Sequence, residues 1–62
     1  MKERIKTLAR SQKMTIAEVE RQAGIGKNTI KSWDRVVPSA DKVAAVADVL
    51  GTTVEYLLRG AV

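Results

Sequence analysis

Apolar residues in this chain recur at helical spacing, and the segments between them are punctuated by glycine, proline and hydroxyl residues. Ile5, Leu8 and Ala9 fall at i, i+3 and i+4 and predict a first helix over about residues 2–12. Thr15-Ile16-Ala17-Glu18 fits a capping box, in which a hydroxyl and a carboxylate satisfy free amides at a helix start. Ile16, Val19 and Ala23 then form the stripe of a second helix, and Gly24 suits its left-handed C-terminal cap. A third segment starts near Gly26 or Lys27 and runs to about Arg35. Ile30 and Trp33 share one of its faces; Lys27, Asn28, Lys31, Ser32 and Arg35 share the other. Val43, Val46, Ala47 and Leu50 mark a fourth helix, opened by Ser39 and closed by Gly51. A short fifth helix follows Thr52-Thr53, with Val54, Leu57 and Leu58 inward and Gly60 after it. The pattern predicts one all-α domain of five short helices over residues 1–62.

The second and third segments are separated only by Gly24-Ile25-Gly26. So short a connection holds two helices at a steep angle with Ile25 plugging the corner, which is helix-turn-helix geometry. In that arrangement the second helix of the pair enters the DNA major groove while the first crosses the backbone.

Composition narrows the chemistry. A chain of 62 residues buries only about 60% of the surface it exposes when unfolded, so its core is thin. With no Cys there is no disulfide, and with no His as well, zinc and haem lose their usual ligands. A nucleophile–histidine dyad is excluded for the same reason. No cofactor is expected. No apolar run approaches the roughly 18–20 residues of a membrane span, and the charged N-terminus lacks a signal-type apolar stretch. These features predict a soluble, cytoplasmic protein, and DNA binding by the helix-turn-helix pair would associate it with the nucleoid. The formal charge of +4 is unevenly placed. Residues 1–35 carry nine Lys or Arg against four acids, a net +5, whereas residues 36–62 carry two against three, a net −1. A basic face of this kind suits a polyanion, although small domains also carry charge for solubility.

Between Thr15 and Leu58 the chain resembles the helix-turn-helix family of lambda-type phage repressors and Cro proteins, the XRE family. The matching pieces are TIAEVERQAGIGKNTIKSWD, the single Pro38 before the fourth helix, and the closing LGTTVEYLLRG. The resemblance implies a compact five-helix, lambda-repressor-like DNA-binding domain with its helix-turn-helix at helices 2 and 3. Carried over by position, the base-reading residues at the start of the recognition helix fall on Lys27 and Asn28, and a reader one turn later on Ser32. Lys can donate to guanine O6 and N7, Asn can pair with adenine N6 and N7, and Ser can do either. Lys31 and Arg35, further along that face, suit additional base or phosphate contacts. Thr15 and Ile16, at the start of the second helix, would meet a phosphate through backbone amides. Arg10 and Lys13 read as solubility charges or phosphate contacts, and Lys42 is the nearest cation to the loop after the recognition helix.

The chain departs from the family pattern at several positions. Ile16 stands where a Gln usually buttresses DNA contacts, offering a thymine-methyl or sugar contact instead. Glu20 replaces a small Ala and either tilts outward or makes a salt bridge. Ala9 and Asp34 replace an Arg–Glu pair, leaving Asp34 to bond backbone amides or Arg35. Val36 takes the usual Gly position after the recognition helix.

The implied function is that of a transcriptional repressor, of phage or prophage type, which binds a pseudo-palindromic double-stranded DNA operator as a homodimer. Half-sites of such operators lie about 34 to 36 Å apart. Either DNA supplies the cooperativity or an oligomerisation segment lies beyond residue 62. Trp33 reads as core. Tyr56 is either an ordinary packing residue or, with Val54, Leu57, Ala61 and Val62, part of an apolar dimer patch. The competing reading is a protein-interaction module, such as an antitoxin or regulator holding a protein partner. RNA binding lacks a stacking platform, since Trp33 and Tyr56 are the only aromatic residues. An enzyme finds no pocket in five short helices.

Overall fold

The computed structural model describes residues 1–60. Four α-helices, α1 (Lys2–Ser11), α2 (Ile16–Ala23), α3 (Ala40–Leu50) and α4 (Val54–Arg59), are joined by turns, with one 3-10 segment at Ile30–Asp34. Three of the helices begin where a hydroxyl accepts an otherwise unsatisfied amide. Thr15 accepts from Glu18 N at 3.1 Å, Ser39 from Lys42 N at 3.4 Å and Thr53 from Tyr56 N at 3.1 Å. Only half of the capping box forms, because the Glu18 carboxylate accepts from Arg21 and Gln22.

Helix ends follow one scheme. Gly24 (φ 74°) and Gly51 (φ 70°) turn left-handed after α2 and α3. The next amide in each case reaches back to an earlier carbonyl, Ile25 N to Glu20 O and Thr52 N to Ala47 O. The same closure ends α1 without a glycine. There Lys13 takes φ 60°, its amide bonds Arg10 O at 3.0 Å, and Met14 N bonds Ala9 O at 2.8 Å.

The core is a single cluster. Ile5 and Ala9 of α1, Val19 of α2, Ile30 of the 3-10 segment and Leu57 of α4 surround the α3 stripe Val43, Val46, Ala47 and Leu50. Half-buried Ile25 and Trp33 pack against it, Ile25 at the corner after α2. Helix α1 and the residue after it also tie down two helix ends, Gln12 donating to Leu50 O at 2.7 Å and Arg4 to Leu57 O at 3.3 Å.

The five-helix, lambda-repressor-like architecture with a helix-turn-helix at helices 2 and 3 is overturned at the third helix. Residues 27–35 do not form an α-helix: residues 27–29 are a turn, and Ile30–Asp34 is one tight 3-10 segment. Three causes act together. Asn28 adopts φ 67°, which no right-handed helix accommodates. The Asn28 and Ile30 amides are taken by the Glu20 carboxylate. Asn, Thr and Ile in succession have weak helix propensity. The spacing of Ile30 and Trp33 fits a 3.6-residue period, but an i, i+3 pair fits the three-residue turn of a 3-10 helix equally well.

A lysine in the left-handed region costs about 1–2 kcal/mol that glycine avoids. Part of that gain returns as extra freedom of the unfolded glycine chain. Lys13→Gly is therefore expected to stabilise the fold by about 0.5–1 kcal/mol, raising the thermal midpoint by roughly 2–8 °C in a domain this small. A thermal melt followed by circular dichroism checks this; a lowered midpoint would contradict the closure described for α1.

Candidate functional site

Charge on α1 is laid out by helical geometry. Lys2, Lys6 and Arg10 recur every four residues and so share one face, and Lys13 follows just past the helix end. Like charges at this spacing destabilise a helix by a few tenths of a kcal/mol per pair. That face borders two adjoining grooves. The first, of about 340 Å³, lies between α1, the start of α2 and the turn before the 3-10 segment. Lys2, Lys6, Lys27 and Lys31 line it together with Asn28, over the apolar surface of Ile16, Ala17 and Ile30. The second, of about 290 Å³, is lined by Lys6, Arg10 and Lys13 beside Met14, Thr15 and Ile16. Lys6 and Ile16 belong to both, so six cations border one continuous surface.

Few of these charges are neutralised locally. Lys2 bonds the Asp34 carboxylate at 3.0 Å. Lys6, Arg10, Lys13, Lys27 and Lys31 have no carboxylate partner within 4.0 Å among the described residues. Asp34 thus pairs with Lys2 across to α1, rather than with Arg35. Arg21 is held by Glu18, and hydrogen bonds from Arg21 and then Gln22 keep the Glu18 carboxyl below its ordinary value.

Glu20 is the one acid lining the grooves, and it is neither outward nor ion-paired: only 4% exposed, it accepts from Asn28 N at 3.1 Å and Ile30 N at 2.9 Å. Both oxygens are occupied by backbone amides, and among the described residues no buried side-chain polar atom is left without a partner. The sequence leaves the place of this residue open, because its donors lie eight and ten positions away in a turn that no local pattern marks.

The remaining expected site residues separate into two groups. Lys27, Asn28, Lys31, Ile16, Thr15, Arg10 and Lys13 border the paired grooves. Ser32, Arg35 and Lys42 do not. The Ser32 hydroxyl donates to Thr29 O at 2.7 Å, and the tighter pitch of the 3-10 segment moves residues 32 and 35 off the face that an α-helix would have given them. Lys42 sits at the start of α3, outside the lining of either groove. Lys2 and Lys6 were missed, though their spacing with Arg10 was available as a signal. Of the expected dimer patch, Leu57 is fully buried in the chain's own core, while Val54 and Tyr56 are half-buried against it. Val62 and Ala61 lie outside the described residues. Leu58, expected inward, is 49% exposed.

Among the described residues no group of three His, Cys, Asp or Glu is placed to hold a metal, and no helix is long and apolar enough to cross a membrane. No family model, curated protein or solved structure matches the chain.

The Lys2 pair gives a pH signature. The hydrogen bond from Lys2 is the largest cause holding the Asp34 carboxyl below its ordinary value of 3.8. A depressed folded-state value means that the pair's contribution to stability is present above that ordinary value and is lost as pH falls through the folded-state one. Lys2→Met is expected to raise the Asp34 titration midpoint toward its ordinary value in a carboxyl NMR titration, leaving Glu18 unmoved. An unchanged Asp34 midpoint in the variant would contradict the pairing.

Proposed function

We propose that this chain binds double-stranded DNA through the paired basic grooves and acts as a sequence-specific transcriptional repressor. One observation carries the reading: six cations border a continuous surface, five of them lacking a carboxylate partner among the described residues. Such a surface concentrates polyanions, because each neutralised phosphate releases condensed counterions. Two backbone features support it. Among the described residues, the non-glycine residues with positive φ are Lys13 and Asn28, and both border these grooves. Strain of that kind collects at working surfaces.

The chemistry divides by position. Lys2, Lys6, Arg10 and Lys13 form a row suited to phosphates of one strand. Lys27, Asn28 and Lys31 sit together on the far side of the first groove, with donors suited to guanine and adenine edges. Ile16 between them offers an apolar contact to a thymine methyl. The resemblance of the chain's motifs to those of lambda-type repressors adds the regulatory role and the homodimer on a pseudo-palindrome, by analogy. A protein partner is the second reading, favoured by the exposed Val36 and Val37 in the loop before α3, Val37 being 92% exposed.

Selection from a random duplex library followed by binding across a salt series tests the reading. An enriched sequence and a steep salt dependence are expected; a library without enrichment and a salt-insensitive protein complex would favour the protein partner. Lys6→Ala is expected to weaken all duplexes alike and to flatten the salt slope by about 1. Asn28→Ala is expected to cost about 1–3 kcal/mol on the selected duplex and to relax preference at one base pair. Lys13→Gly should lose DNA affinity while gaining thermal stability.

A further inference from the structure

We infer that Glu20 is the positioning residue of this surface, holding Lys27, Asn28 and Lys31 in the conformation that reads sequence; the inference rests on the DNA-binding reading. Its place is unusual for an acid. A carboxylate bordering a groove that receives phosphate opposes the ligand electrostatically. Glu20 contributes no exposed charge surface to speak of, being 4% exposed, and makes no salt bridge among the described residues. Its bonds go to the backbone of the segment that carries the base-facing side chains.

Three amides between residues 25 and 30 end on this one residue. Ile25 N donates to the Glu20 carbonyl at 3.1 Å, as part of the closure of α2. Asn28 N and Ile30 N donate to the two carboxylate oxygens at 3.1 and 2.9 Å. The side chain therefore spans from a regular helix to a turn containing left-handed Asn28 (φ 67°), and it supplies the acceptors that an α-helix would have supplied from its own carbonyls. Lys27 and Asn28 flank the first of these bonds, and Lys31 follows the second. Glutamine cannot replace this function. Its amide oxygen can accept one N–H, but its amino group would face the other donor.

The test begins with the wild-type protein. Asn28 is exposed and lies in a turn, so slowed amide hydrogen exchange at Asn28 and Ile30 is expected; exchange of both at the unstructured rate overturns the inference. Glu20→Gln is then compared with wild type on the library-selected duplex and on a scrambled one, after circular dichroism establishes that the variant folds. Discrimination between the duplexes is expected to fall roughly tenfold, the scale of one buried hydrogen bond lost, with the salt slope unchanged. In an Asn28→Ala background, Glu20→Gln is expected to cost less discrimination than it does alone, because Asn28 is one of the three side chains that Glu20 positions. A generally structural role would weaken both duplexes alike and add to Asn28→Ala, which overturns the inference. If Glu20→Gln does not fold, Glu20→Asp, which keeps both acceptors on a shorter arm, takes its place in the same comparison. A folded variant that keeps wild-type discrimination overturns the positioning role and leaves DNA binding standing. A library that enriches no duplex overturns the DNA-binding reading itself, and the exchange measurement still reports whether Glu20 holds the turn.

Discussion

The carboxylate of Glu20 fixes the course of the backbone after α2. A buried acid is tolerable only where its lone pairs are filled, and here they are filled by two amides that would otherwise be orphaned in a turn. Removing either side of that arrangement leaves unsatisfied groups on the other. The bond pair also explains the geometry downstream of α2. Because the Asn28 and Ile30 amides are spoken for, the backbone passes through a left-handed residue and a single 3-10 segment before it reaches α3. Ile30 is thereby delivered to the core while Lys27, Asn28 and Lys31 stay on the surface.

That surface runs against the stability of so small a domain. Helix α1 stacks like charges at i, i+4 steps, Lys13 holds a conformation better suited to glycine, and among the described residues the core contains only nine buried apolar ones. Hydroxyl caps at three helix starts and left-handed closures at the helix ends offset part of this, each N-cap contributing about 1 kcal/mol. Helix α1 contributes through long side chains as well, Gln12 and Arg4 satisfying carbonyls at the ends of α3 and α4. Its apolar face anchors the core, its basic face lines both grooves, and its polar ends fasten the other helices.

Most of the legible signals are those whose controlling contact lies within about four residues. Thr15, Ser39 and Thr53 cap helices because their acceptors serve an amide three positions on, and Gly24 and Gly51 close helices through bonds to the preceding turn. The stripe of α3 faces inward for the same reason, its period being intrinsic to the helix. The pitch of the third segment is not legible because its two apolar residues, Ile30 and Trp33, sample too little of the period. Leu57 takes the inward position of α4, and Leu58, the next residue around the helix, stays 49% exposed.

The amino-acid sequence was enough to mark the helices α1 to α4, the caps of α2 to α4, and a concentration of positive charge in the first thirty-five residues, since each depends on near neighbours or on simple composition. Tertiary structure alone decided that residues 27–35 are a turn and a 3-10 segment, that Glu20 fastens them, and that Lys2 and Lys6 join Lys27 and Lys31 around one groove. Those outcomes depend on how α2 meets the segment after it. A carboxylate reaching across eight to ten residues competes with the helix's own carbonyls for the same amides, and no pattern of neighbouring residues records which acceptor wins.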